Sequence, residues 1–288
     1  MHTIFKFILL LNLSLYGIGT QFLALPFSSS ELSMGSHPTL LDHSPVNPAL
    51  YQPLYKKPAI SISHGSWFGD VTLTKIGYNF GKNNFLNHFE IKYSGIEDLE
   101  LRNNIPSDEP MAKFSAFGVA LDYGSSITRG NTRYGLSLSY IHYGLYTFES
   151  KGIGLNFGYA LDLKNNIRIG ASILNIGRMK KLYKDNPVLP RRILLGVSKE
   201  IMMRSLQNTI YGSIESNSMA SALKVNLGNQ FNYDRLNLYL GVSSSKEIIE
   251  SSFGFGLNMN RFEVKYGVRL GSQNIGVPQI LSIRFLML

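Results

Sequence analysis

The 288-residue chain carries 16% charged and 12% aromatic residues, a formal net charge of +9 and no cysteine. The charge fraction is low against the ~25% of an ordinary soluble domain, and the lack of cysteine excludes thiolate metal sites, disulfide scaffolds and a lipoprotein anchor. Lys and Arg are scattered and never run beyond two in a row, which argues against a nucleic-acid partner and for solvated loops, a polar lumen or contact with an anionic lipid surface.

Taken in chain order, residues 1–20 read as a signal peptide. Lys6 is followed by the apolar run Phe7 to Leu11, too short to span a bilayer, and small residues Gly17 and Gly19 suit cleavage near position 20. Residues 21–57 are proline-rich and lack alternation, so they read as an irregular, plug-like segment ahead of the sheet. From residue 58 to 288 period-two alternation dominates. About fourteen strands are expected, at 58–64, 70–80, 86–95, 113–123, 133–143, 151–163, 167–177, 191–200, 208–216, 220–231, 235–245, 251–259, 261–270 and 279–287.

The alternation is clearest late in the chain. Leu236, Leu238, Leu240 and Val242 alternate with Asn237, Tyr239 and Gly241; Phe253, Phe255, Leu257 and Met259 with Gly254, Gly256 and Asn258. A soluble sandwich turns its apolar face inward, whereas a membrane barrel turns it to lipid and fills the lumen with polar and small residues. Here the polar faces are rich in Gly, Ser and Asn rather than Lys and Glu. Many segments also approach the 9–11 residues that a tilted strand needs to cross a bilayer. Connections after even strands are mostly tight, and the longest, 96–112 and 178–190, follow odd strands, as expected if both chain ends are periplasmic. The fold class is therefore all-β: a single transmembrane antiparallel barrel of about fourteen strands in the bacterial outer membrane. The last strand-like segment, Ile280 to Leu288, suits a barrel assembly signal.

Chemistry-bearing constellations are few. The histidines (His2, His37, His43, His64, His88 and His142) form no HxH or HxxxH pair. Asp42-His43-Ser44 holds the residue types of a hydrolase triad, but consecutive residues cannot present that geometry to one another. No catalytic residue, cofactor or metal site is expected, and the chain does not read as an enzyme. Alternation puts Glu90, Lys92, Lys224, Glu263, Lys265, Arg269 and Arg284 in the lumen. Buried charges persist when paired or hydrated, so they read as a structural ion-pair lattice, or alternatively as a path for a polar passenger. The basic connection carrying Arg178, Lys180, Lys181 and Lys184, with Arg191 and Arg192 at its far end, reads either as a solvated loop or as a contact for lipopolysaccharide phosphates or a partner protein.

The pre-barrel segment carries a resemblance. Phe22-Leu23-Ala24-Leu25-Pro26-Phe27-Ser28-Ser29, Met34-Gly35 and Asn47-Pro48-Ala49-Leu50, with the later Asn175-Ile176-Gly177, Leu189-Pro190 and Leu195-Gly196-Val197-Ser198, resemble the PorV/PorQ-type outer-membrane proteins. The sequence departs from that pattern at Ser36, where the family has a second Gly, and at Ser29-Ser30, where it has Ala-Arg. The resemblance implies a FadL-like fourteen-stranded barrel, a plug turn at Met34, Gly35, Asn47, Pro48 and Ala49, and a part in type IX protein secretion or surface attachment of cargo, with secretion-system proteins or cargo C-terminal domains as partners. The rival reading is a FadL-like conduit for hydrophobic small molecules, which predicts an apolar pocket behind the plug and a lateral opening between strands. A secreted soluble sandwich is a third.

Overall fold

A computed structural model describes residues 19–35, 40, 46–51, 57–82, 85–102, 108–220, 222–246, 248–271 and 276–287. The expected signal peptide lies outside the described residues except for Gly19 and Thr20, and so does Asp42-His43-Ser44.

Fourteen antiparallel strands close into one barrel. They are β1 (Ala59–Ser66), β2 (Thr72–Lys82), β3 (Phe85–Leu101), β4 (Ala112–Arg129), β5 (Thr132–Leu145), β6 (Phe148–Leu163), β7 (Ile167–Met179), β8 (Arg192–Met203), β9 (Leu206–Asn217), β10 (Lys224–Tyr233), β11 (Leu236–Ser245), β12 (Ile248–Met259), β13 (Phe262–Gly271) and β14 (Gln279–Leu286). Each strand pairs with its sequence neighbours, and β14 closes on β1 from Ala59↔Leu286 to Ser66↔Gln279. Closure removes every free edge, which is the condition for a sheet to sit in hydrocarbon. Among the described residues no helix is long and apolar enough to cross a membrane.

The outer wall is the apolar one. Ile62, Leu138, Ile153, Leu195, Leu238, Phe255 and Ile283 are all exposed, whereas Lys75, Glu90, Arg192, Asn237, Lys265 and Arg269 are buried inside. This inversion of the soluble pattern follows from strand geometry: successive side chains alternate, so lipid takes one set and the lumen the other. The rows of Leu, Ile and Phe meet no second protein layer, which removes the sandwich reading.

Connections after even strands, at 83–84, 130–131, 164–166, 204–205, 234–235 and 260–261, are all two or three residues long. Left-handed backbone at Gly130, Asn165, Asn166, Arg204, Asp234 and Asn260 lets these hairpins turn so tightly. Short turns mark the periplasmic end, and both ends of the sheet lie there. Aromatic pairs Tyr134–Tyr159 (5.6 Å between centroids) and Phe262–Phe285 (5.0 Å) sit near that rim, where amphipathic rings favour the lipid–water boundary.

Two expected long connections are largely strand. The stretch 96–112 is shortened because β3 runs on to Leu101 past a bulge between Ile96 and Leu99, with Asp98 at φ 56°. The stretch 124–132 is absorbed by β4, which continues to Arg129 and turns at Gly130-Asn131. Ser125, Ser126 and Thr128 blur the hydropathy signal there, and pairing on both sides, Ile127 with Phe85 and with Tyr134, supplies what hydropathy does not.

Lipid contact makes a direct prediction. Leu240→Arg, on the outward face midway along β11, should destabilise the barrel in a bilayer by about 2–4 kcal/mol. Leu240→Ile should cost well under half of that. Denaturant titration in phospholipid vesicles, read by the heat-dependent gel mobility of the folded barrel, checks both.

Candidate functional site: a plugged lumen with an apolar cluster

The N-terminal segment lies inside the barrel. Among its described residues an α-helix, α1 (Ser29–Ser33), is capped by Ser28, whose Oγ accepts from Glu31 N at 3.3 Å, while Glu31 Oε2 accepts from Phe27 N at 2.8 Å. Reciprocal capping of this kind satisfies orphan amides that a five-residue helix could not satisfy alone. Ser29 N donates to Ser282 Oγ (3.0 Å) and Gly35 N to Ser252 Oγ (2.9 Å), tying the segment to β14 and β12.

Glycines form the seats. Gly254 and Gly267 stand directly opposite one another on β12 and β13. A Cβ on Gly267 would lie 2.6 Å from Ser29 O, and one on Gly254 would lie 2.5 Å from Ser33 Cβ. Across the lumen Gly135 and Gly158 are likewise register partners, and a Cβ on either would overlap Pro48 or Asn47. Close backbone approach explains why small residues occupy the inward faces here.

The plug-turn residues fall into two places. Asn47 is fully buried; its Oδ1 accepts from Ala49 N (3.0 Å) and its Nδ2 donates to Tyr159 O (3.2 Å), with Pro48 opening the short 3₁₀ turn Pro48–Leu50. Met34 packs with Leu40, Tyr211 and Tyr239, and Gly35 takes φ 70°.

The expected lumen charges lie on the inward faces. Lys92 Nζ lies 2.7 Å from Glu90 Oε1 and 3.0 Å from Asp122 Oδ2, and Glu90 also meets Lys75 at 3.7 Å. Lys265 meets Glu263 at 2.8 Å, while Lys224 (3.5 Å) and Arg269 (3.3 Å) share Glu250. Arg284 stands opposite Glu263 in the β13–β14 register. Arg192 corrects the reading of the basic loop: it is the first residue of β8, buried, and forked onto Glu215 at 2.6 and 3.0 Å. Sequence reasoning also missed Lys75 and Glu31. Lys75 was open to detection, since outward Ile76, Tyr78 and Phe80 set the parity of β2; Glu31 was not, because the plug has no alternation to read. Among the described residues no group of His, Asp or Glu has the makings of a metal site.

Part of the lumen toward the long connections is apolar instead. Phe22, Phe27 and Leu32 of the plug pack against Val71, Leu73, Ile141, Tyr143, Met179, Leu189 and Ile280, with Trp67 alongside. All the wall residues of this cluster lie toward the long-connection end of their strands. The wall there is interrupted. β7 stays paired with β6 as far as Met179, but its pairing with β8 stops at Leu174↔Arg192. Asn175, at φ 60°, makes the break: its N donates to Asn156 Oδ1 (2.7 Å) and its Nδ2 to Pro190 O (2.9 Å). A cavity of about 390 Å³ opens beside it, lined by Ile176, Met179, Pro187, Val188 and Leu189 among others. Thr20 Oγ1 closes the seam from inside by donating to Val188 O.

Such a barrel, apolar outside, charged within and stoppered by its own N-terminal segment, is an outer-membrane β-barrel of the plugged, fourteen-stranded class. Three-dimensional comparison agrees. The Pseudomonas putida toluene transporter TodX superposes with a TM-score of 0.66 at 10% identity, over 90% of this chain and 98% of that one. A Pseudomonas aeruginosa FadL homologue gives 0.61 at 9% identity, over 90% and 98%. The Acinetobacter baumannii outer-membrane protein Omp33 gives 0.50 at 6%, over 81% and 98%. At these identities the likeness is one of fold. No family model and no curated protein matches the sequence.

Two predictions follow from the lumen. Arg192→Leu should destabilise the barrel by about 3–5 kcal/mol, because Glu215 is left as an uncompensated buried charge, whereas the double change R192L/E215L should recover most of the loss; equilibrium unfolding in detergent measures both. Glu31, in the plug, is held above the usual carboxylate range by burial, which outweighs the nearby Lys75 that pulls it down. A raised pKa means that the docked helix binds the proton more tightly than the undocked one. Docking is therefore strongest below the usual carboxylate pKa and weakens as pH rises from there through the raised value. Emission from Trp67, the sole tryptophan, should shift red over that rise, and Glu31→Gln should abolish the shift.

Proposed function

We propose that the protein is a FadL-like outer-membrane conduit for hydrophobic small molecules. The observation that carries this reading is the apolar cluster around Phe22, Phe27 and Trp67, which adjoins the β7 seam through Met179 and Leu189. A membrane barrel has no structural need for apolar wall residues in its lumen, since polar residues fill it as well. With the plug in place the cavity beside Ser30, lined by Asp162, Arg168, Glu200, Gln207 and Lys265 among others, is polar. The apolar concavity that a greasy ligand recognises is the one that displacing Phe22, Phe27 and Leu32 would leave. The fold likeness to a toluene transporter and to a FadL homologue supports the same direction.

Bromobenzene tests the proposal, because a heavy atom quenches tryptophan on contact and the chain has one tryptophan, packed against the cluster. Quenching should saturate in the wild type, and Met179→Lys should weaken it at least tenfold. Quenching that rises linearly and equally in both proteins would remove the conduit reading.

A second reading, participation in type IX secretion, draws on the PorV/PorQ-like motifs, whose residues cluster at the two tethering points Asn47 and Asn175. Unchanged export of cargo bearing C-terminal signal domains after deletion of the gene would count against it.

A further inference from the structure

Among the described residues two pairs of lysines stand across adjacent strands of this barrel, and they are treated differently. Inside, Lys75 and Lys92 are register partners on β2 and β3. Like charges directly opposite one another are destabilising, and here Glu90 spans both ammonium groups while Asp122 takes the second. The other pair lies on the outside. Lys180 N donates to Lys151 O at 2.7 Å, which carries the β6–β7 ladder one rung past Gly152↔Met179 and brings Lys151 and Lys180 opposite each other. Arg178, two residues back, pairs with Ile153 of the exposed apolar belt and so shares its outward face. All three cations are exposed. The acid on that face of β6, Glu149, is held by His142 Nε2 at 3.0 Å. Among the described residues no ion pair joins Lys151, Arg178 or Lys180 to a carboxylate; Asp185 is the one acid in the connection that follows.

Position decides what neutralises them. The triad sits at the long-connection end of the wall, with Arg178 level with Ile153 and directly above Leu155 and Ile176, which face hydrocarbon. That is the level of the headgroups of the outer leaflet. Lys181 and Lys184 add charge just beyond, and the connection is anchored over β6 by Tyr183 against Phe148, 4.9 Å between centroids. A cation near an anionic membrane surface gains roughly fivefold in affinity, whereas a soluble acidic partner would have to reach down the barrel wall into the headgroup layer.

We propose that Lys151, Arg178 and Lys180 form a docking surface for the phosphates of outer-leaflet lipid headgroups, independent of what passes through the lumen. Native mass spectrometry of the detergent-released barrel with bis-phosphorylated lipid A is the test. The wild type should retain the lipid, and K151Q/R178Q/K180Q should bind it about a hundredfold more weakly at three cations' worth of attraction. Lys199→Gln, outward-facing at the opposite rim, should bind like the wild type. Heat-dependent gel mobility checks that each variant is folded, and the single Lys180→Gln, at the strand end, should give a smaller loss in the same direction should the triple variant fail to fold. Equal retention of dephosphorylated lipid A, or undiminished retention by the folded variants, overturns the proposal. So does binding of polyglutamate by the wild type at concentrations where lipid A does not bind, which would assign the surface to an acidic protein.

Discussion

A chain that enters hydrocarbon must satisfy every backbone amide and carbonyl within itself, since an unpaired group there costs several kcal/mol. In this protein that requirement is met by the β1–β14 pairing, which turns an open sheet into a cylinder. Everything else follows from the closure. Once the sheet is a cylinder, one set of alternating side chains meets lipid and the other is confined to an interior too narrow to be left empty. The interior then has to be filled, and the chain fills it in two ways: with charges on strands that neutralise one another, and with its own N-terminal segment.

The two fillings share the lumen. Acids on β3, β4, β9 and β12 are matched by bases on neighbouring strands and Glu263 by Lys265 of its own strand, so that ion pairing serves as the local solvent for charge. Beside them, toward the long connections, the plug presents Phe22, Phe27 and Leu32 to an apolar part of the wall. The two meet where Arg269 lies 5.1 Å over the Trp67 ring. The seam at Asn175 lies beside the apolar cluster. The same residue that interrupts β7–β8 pairing also holds the following connection through Pro190, so the interruption is a built feature.

The plug depends on what the strands omit. Gly254 with Gly267, and Gly135 with Gly158, are paired across neighbouring strands, and a single methyl group at any of them would collide with the segment docked above. These glycines look like ordinary small-residue content when the chain is read by composition. Their purpose becomes visible only when register brings them together under α1 and under the Asn47 turn.

How much was legible beforehand can be argued residue by residue. Alternation of period two is a local property, so Leu236 to Val242 and Phe262 to Leu270 announce both a strand and its lipid face without any partner, and the strand count, the short even turns and the inward charges follow from the same local signal. Long-range facts were not local. That β4 continues through Ser125 to Arg129 is decided by β3 and β5 on either side, and that Arg192 turns inward is decided by Glu215 on the next strand. The depth of Glu31, the break at Asn175 and the facing of Lys151 and Lys180 all depend on register. Register is a property of two strands at once, and no single stretch of sequence carries it.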